Sequence, residues 1–145
     1  MILDNFIVIS PKEMIDLGVK FSKQIKAGDI IVFRGTLGSG KTTFIQGMAK
    51  GIGVQQRIVS PTFMIARTYD INNGNIHHFY HMDLYRLDDE KNISSFGFNE
   101  MIEDEFGVTV IEWSEKLKEK MPKYRWEVSC EYDGDSKRVV VIRKY

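Results

Sequence analysis

The sequence predicts an α/β fold, a mixed β-sheet flanked by helices in a single domain, and three observations carry that expectation. Ile30, Ile31, Val32 and Phe33 form a continuous apolar run, as in a strand buried on both faces, and Val108-Thr109-Val110-Ile111 forms a second. The first run passes through a glycine-rich loop into Phe44, Ile45, Met48, Ala49 and Ile52, which recur at helical spacing. Two further pairs of strand-like runs meet at polar turns, so antiparallel hairpins must sit beside the buried strands.

Each element has a local reason. Phe6 to Ile9 reads as a short strand. Ser10-Pro11-Lys12-Glu13 is a capping box with proline at the first helical position, and Met14, Leu17, Phe21 and Ile25 make an apolar stripe that Gly28 ends. Gly51 and Gly53 stop the helix after the glycine loop. Ile58-Val59 then leads into Ser60-Pro61-Thr62-Phe63, where proline favours a loop. Phe63 to Asp70 and Ile76 to Asp83 are strands joined by "INNGN", in which Asn73-Gly74 suits a type I′ turn. Asp88 to Phe106 is helical in pieces, broken near Gly97. Ser114 to Met121 reads as a short helix, and Trp126 to Tyr132 pairs with Arg138 to Ile142 around Asp133-Gly134.

A chain of 145 residues, 43% hydrophobic and 28% charged, suits one domain, residues 1–145, with one sizeable core. Its formal net charge of zero excludes nucleic-acid binding by bulk electrostatics, although a local basic patch can still contact RNA. The single cysteine, Cys130, excludes an internal disulfide and a cysteine metal cluster, which suits the cytoplasm. No apolar run reaches membrane-spanning length, and Asp4 interrupts the apolar N-terminus too early for a signal peptide. Asp88 to Glu105 is acidic and Lys116 to Arg125 is basic; each is a solvated helix face or a partner surface.

The chemistry concentrates in "GTLGSGKT", Gly35 to Thr42, which fits G-x-x-x-x-G-K-[ST]. A chain of this length matches that pattern by chance about once in 200, and the flanking strand and helix make coincidence rarer still. Glycines let successive N–H groups turn inward onto phosphate oxygens. The following helix adds its N-terminal dipole. Lys41 reaches the β- and γ-phosphates, and the Thr42 hydroxyl ligates Mg²⁺. The predicted fold is therefore P-loop NTPase-like, with a nucleoside triphosphate and Mg²⁺ as its ligands and Gly35, Leu37, Gly38, Ser39, Gly40, Lys41, Thr42 and Thr43 as the cradle.

Such a site needs an acid where a strand ends beside the loop. Asp83 closes "IHHFYHMD" and Glu112 closes "VTVIE", so both are candidates for the metal and for catalysis. His77, His81 and Asp83 alternate and share one strand face. That spacing permits zinc, but no further ligand converges, and His81 better suits a hydrogen bond near the site or a polar face. Trp113 is either core or a nucleotide neighbour. Thr62 sits where switch-type NTPases place a γ-phosphate-sensing threonine, or is an ordinary loop threonine.

Taken in order, "GTLGSGKTT", "SPTF", "HMDLYRL" and "IEWSEK" resemble the bacterial TsaE (YjeE) ATPases, which help to make threonylcarbamoyladenosine on tRNA. The resemblance spans nearly the whole chain. It implies that the triphosphate is ATP, that Thr42 and Glu112 ligate Mg²⁺, that Asp83 lies beside metal and phosphates, and that Thr62 belongs to a switch-like loop. It implies that Trp113 and Lys116 border the nucleotide and that Tyr85 and Arg86 shape the site or meet a partner. It implies a TsaB–TsaD type pair as partners, with tRNA reached through the complex. Ser114 stands where many relatives have proline, which predicts a looser turn after Trp113. The family's nucleobase contact near the start of the first helix has no clear signature here; Ser10 or Pro11 merely stands at that place.

Other functions fit less well. A small P-loop kinase passing the γ-phosphate to a small molecule needs a basic lid and an acceptor pocket, and the arginines here are scattered. A GTPase needs a guanine-reading NKxD-type motif, which is absent. A nucleotide-regulated binding module that never turns over remains open. With no evident arginine finger or lid, the chain is expected to be a weak ATPase alone. Docking to its partners is expected to raise turnover, and hydrolysis to reset the complex between rounds of tRNA modification.

Overall fold

The computed structural model describes residues 4–36, 38–59, 61, 65–87, 90–134 and 136–145. Its centre is β2 (Ile30–Gly35), whose residues alternate between two cores. Ile31 and Phe33 face one apolar cluster and Val32 faces the other. Burial on both faces is what the uninterrupted apolar run demanded. The other strands are β1 (Asp4–Val8), β3 (Ala66–Asn73), β4 (Ile76–Asp83), β5 (Gly107–Glu112), β6 (Trp126–Tyr132) and β7 (Arg138–Lys144). They form one seven-stranded sheet in the order β1-β7-β6-β2-β5-β4-β3. The four inner strands β6, β2, β5 and β4 run parallel, while β1, β7 and β3 add antiparallel edges. The sheet is mixed and flanked by helices, as expected.

Helices α1 (Pro11–Ser22) and α2 (Lys41–Ile52) cover one face. They touch backbone to backbone: a Cβ on Gly18 would stand 2.3 Å from the Phe44 carbonyl oxygen, and one on Gly47 2.2 Å from that of Ile15. Phe44 of α2 meets Phe33 of β2 at a ring separation of 5.5 Å and Phe21 of α1 at 5.7 Å. Each such buried ring stabilises the fold by about 1.5–3 kcal/mol, so the helix behind the glycine loop is held rigidly on its strand. The other face is closed by a 3-10 helix (Glu90–Phe96), the short α3 (Phe98–Ile102) and a second 3-10 helix (Ser114–Lys120), which bring in Ile93, Phe98 and Leu117. No helix among the described residues is long and apolar enough to cross a membrane.

Most local expectations hold. Ser10 accepts the Glu13 N–H at 3.1 Å as the N-cap of α1, and Gly97, at φ +88°, breaks the helical stretch. Four details differ. α1 ends at Ser22 rather than at Gly28, because Lys23, Gln24 and Ile25 donate to the third residue back and tighten into turns that still bury Ile25. The β3–β4 turn is not a type I′ turn on Asn73-Gly74. Asn73 pairs with Ile76, leaving Gly74 and Asn75 as the loop, and positive φ occurs at Gly74 alone. Asn73 is held back by its side-chain amide, which donates to the Ile52 carbonyl at the end of α2 at 2.8 Å. β3 begins at Ala66, and Phe63, its expected start, lies outside the described residues. The segment after Trp113 is 3-10 rather than α, interrupted at Lys118 (φ +51°).

Candidate functional site

Because β2, β4, β5 and β6 are parallel, their carboxyl ends share one edge of the sheet, the usual place for a ligand in an α/β fold. Gly35, Asp83 and Glu112 all lie there. Gly35 could carry no side chain: its φ is +137°, and a Cβ would fall 2.1 Å from the Cys130 carbonyl oxygen. The loop turns back through a Ser39 N–H bond to the Thr36 carbonyl, 3.2 Å, and is pinned from β6 by the Tyr132 hydroxyl donating to the Gly38 carbonyl at 2.6 Å.

Gly40, at φ +101°, opens α2 and supplies no side-chain cap. The first N–H groups of a helix have no partner within it, so this terminus keeps its positive end for an anion. Two more observations fit a phosphate cradle. Ser39 Oγ is fully buried with no hydrogen-bond partner among the described residues. Lys41, 6% exposed, sends its ammonium to the Gly35 carbonyl at 2.7 Å and over the Trp113 ring, 4.3 Å from the centroid. Thr42 and Thr43 follow in the first turn of α2, both half-buried. Leu37 and Thr62, both expected at the site, lie outside the described residues.

Asp83 and Glu112 are register neighbours on β4 and β5, and Phe33 of β2 pairs with Glu112 on its other side. The two carboxylates therefore stand side by side next to the strand that feeds the loop. Glu112 is buried, and its Oε2 lies 2.6 Å from Nε2 of the fully buried His81. Asp83 is half-buried and accepts the Tyr85 N–H at 3.0 Å. Burial lifts the Asp83 carboxyl above its ordinary value. The Tyr85 N–H draws it back, the Glu112 charge lifts it, and His81 and Lys41 oppose that lift. These couplings bring Lys41, His81, Asp83 and Glu112 into one electrostatic cluster.

His77 does not join them; it stacks on Phe106 at 5.0 Å. Among the described residues no group of three or more His, Cys, Asp or Glu could hold a metal ion, so the zinc arrangement that alternation permits is not formed. The paired Asp83 and Glu112 carboxylates are hard oxygen donors of the kind that suits Mg²⁺.

Trp113 adopts a left-handed backbone, φ +58°, directly after the Glu112 strand end. That turn swings its ring over Lys41 and against Tyr85, 4.9 Å between centroids. Lys116 ties the far side by donating to the Tyr85 and Leu87 carbonyls. Arg86 is exposed beside them. The looser turn expected from Ser114 does not form: Ser114 is fully buried and donates to the Phe33 carbonyl at 3.2 Å. A cavity of about 300 Å³ opens beside the loop, lined by Ser10, Pro11, Met14, Gly38, Thr43 and Arg138 among others. Ser10 and Pro11 line this cavity, although the sequence carries no clear signature for a nucleobase contact. Tyr132, Met14 and Arg138 escape sequence reasoning as loop neighbours, since nothing in a strand-end tyrosine or a helical methionine marks a loop contact.

The family model for threonylcarbamoyl adenosine biosynthesis protein TsaE matches residues 8–140. The tRNA threonylcarbamoyladenosine biosynthesis protein TsaE of Bacillus subtilis is 33% identical over 134 residues, covering 92% of this chain and 81% of its own length. Its counterpart in Treponema pallidum is 34% identical, covering 86% and 89%, and that of a Nostoc species is 38% identical, covering 81% and 73%. The crystal structure of Bacillus subtilis YdiB superposes with a TM-score of 0.80 at 30% identity, over 97% of this chain and 84% of that one.

Proposed function

The chain belongs to the TsaE family, and from that premise we propose that it is a Mg²⁺-dependent ATPase serving threonylcarbamoyladenosine modification of tRNA with a TsaB–TsaD type pair. The observation that carries the ATPase reading is the pairing of Asp83 with Glu112 beside β2, whose end feeds an uncapped helix N-terminus.

The residues divide the task by chemistry. Backbone N–H groups of Gly38 to Thr43, with Ser39 Oγ and the Lys41 ammonium, hold the phosphates. The Thr42 hydroxyl and the Glu112 carboxylate would hold Mg²⁺, which would supply positive charge against the negative charge that builds on the phosphates. Lys41 exchanges the Gly35 carbonyl and the Trp113 face for phosphate oxygens. Asp83, beside Glu112, orients the attacking water or takes its proton. The cavity lined by Ser10, Pro11, Met14 and Arg138 has room for the nucleobase.

Turnover is slow in isolation. The sequence offers no evident arginine finger or lid, and Trp113 and Tyr85 form a small aromatic cover beside Lys41. Docking of the pair supplies or orders the missing groups, and hydrolysis resets the complex between rounds, the transfer to tRNA staying on the partner. Phosphate release with ATP and Mg²⁺, with and without candidate acceptors, tests the ATPase. Label passing to a small-molecule acceptor rather than to water would make the chain a kinase instead.

A further inference from the structure

A buried histidine that serves packing alone has both ring nitrogens satisfied, because an unpaired buried polar atom costs stability. His81 does not. Its ring is fully buried, its Nδ1 has no partner among the described residues, and its Nε2 is committed to Glu112 at 2.6 Å. Among the described residues no other side chain bonds the Glu112 carboxylate. The contact follows from the sheet. His81 pairs with Val110 and Glu112 with Asp83, so the bond runs diagonally from β4 to β5 on the face shared with α2.

We infer that His81 is the positioning residue for Glu112: its Nε2–H holds Oε2 and leaves Oε1 as the single oxygen offered to Mg²⁺. This assignment rests on the Mg²⁺–ATP function above. A carboxylate only accepts, so the hydrogen between the two side chains sits on Nε2 when Glu112 is ionised. Fixing one oxygen stops the side chain from rotating in its pocket or closing on the metal with both oxygens. Mg²⁺ demands near-octahedral geometry and suits one-oxygen carboxylate ligands, and outer partners of this kind orient a ligand and sustain metal affinity. His81 touches neither nucleotide nor metal; it acts through Glu112.

The test is calorimetric titration of the full chain with ATP, once with Mg²⁺ and once with EDTA, in wild type, His81→Phe and His81→Gln. Phenylalanine keeps the ring volume and removes the donor; the glutamine amide can restore it. His81→Phe is expected to lose about 10–100-fold of the affinity that Mg²⁺ adds, to leave ATP affinity in EDTA unchanged, and to regain most of the loss as His81→Gln. Equal Mg²⁺ gains in wild type and His81→Phe would overturn the assignment, as would an equal loss with and without Mg²⁺, which is the signature of a packing residue. If His81→Phe fails to fold, His81→Asn replaces it, since its amide ends where Nδ1 stands and falls short of Glu112. Failure of both to fold would make His81 a core residue and end the proposal. Wild type gaining nothing from Mg²⁺ would instead overturn the metal function itself.

Discussion

The Lys41 ammonium lies 4.3 Å from the centre of the Trp113 ring while donating to the Gly35 carbonyl at 2.7 Å. A buried cation thus rests on a π face and a carbonyl, both weaker partners than a phosphate oxygen. The left-handed turn at Trp113 makes that contact possible. Strain at such a position has a cost of about 1–3 kcal/mol, which is tolerable where the ring has a role.

ATP is expected to draw Lys41 off the Trp113 ring and change the emission of that tryptophan. The only other tryptophan, Trp126, packs on Phe21 away from the loop and serves as a constant background. A Trp126→Phe protein should keep the nucleotide response and Trp113→Phe should lose it. Lys41→Ala should weaken ATP binding by about 1.5–3 kcal/mol, the worth of a charged hydrogen bond, with thermal stability little changed. Calorimetry with unchanged affinity in that variant would contradict the loop assignment.

Neutral replacement of the strand-end acids should separate chemistry from fold. Glu112→Gln and Asp83→Asn keep shape and remove charge. Each is expected to lower phosphate release by about a hundredfold or more, with Glu112→Gln also losing Mg²⁺ dependence. Parental rates in both variants would leave the paired carboxylates without a catalytic role.

How much of this was legible in sequence depends on whether the signal was local. The apolar runs at Ile30 and Val108, the Ser10 cap and the Gly97 break are local, and each stands where expected. Alternation put His81 and Asp83 on one face, but only the register of β4 against β5 shows that His81 reaches Glu112. The Gly74 turn departs from its expected form because a tertiary bond holds Asn73, and α1 ends early because its last turn tightens into local bonds to the third residue back. Asn73 is held by Ile52, and Ile25 stays buried without a helix. Trp113 in a left-handed turn has no sequence signature, since bulky residues rarely adopt one.

A carboxylate far from the loop should set acid sensitivity. Asp104 accepts from the Tyr80 hydroxyl at 2.6 Å and the Phe106 N–H at 2.9 Å, and meets His78 Nδ1 at 2.8 Å. Burial pushes its carboxyl up, but the bonds from Tyr80, Phe106 and His78 together hold it below its ordinary value. A depressed folded value means that the unfolded chain binds the proton more readily. Its stabilisation is therefore complete above the unfolded carboxylate range, about pH 4, and is lost as pH falls through the folded value. Asp104→Asn should cost about 1–2 kcal/mol at pH 7, with the difference from wild type shrinking below about pH 4. Urea unfolding at both pH values checks this; an equal difference at both would show that the charge on Asp104 is not what stabilises the turn.

The buried Ser114 hydroxyl, bonded to Phe33 at 3.2 Å, should contribute about 1 kcal/mol. Ser114→Ala is expected to lower stability by that amount in chemical denaturation and to leave ATP affinity nearly intact. A larger loss of affinity than of stability would place the hydroxyl in nucleotide binding rather than in the turn.

The most direct test of an ATPase that serves a partner is the rate of phosphate release by the purified chain, alone and with the TsaB–TsaD pair from the same cell, followed over many rounds of tRNA modification. Slow release alone, stimulation by the pair of about 10³–10⁵-fold if it supplies the missing charge-stabilising group, and modification that stalls with Lys41→Ala are the expected results. No stimulation by the cognate pair, together with full multi-round modification by Lys41→Ala, would contradict the account.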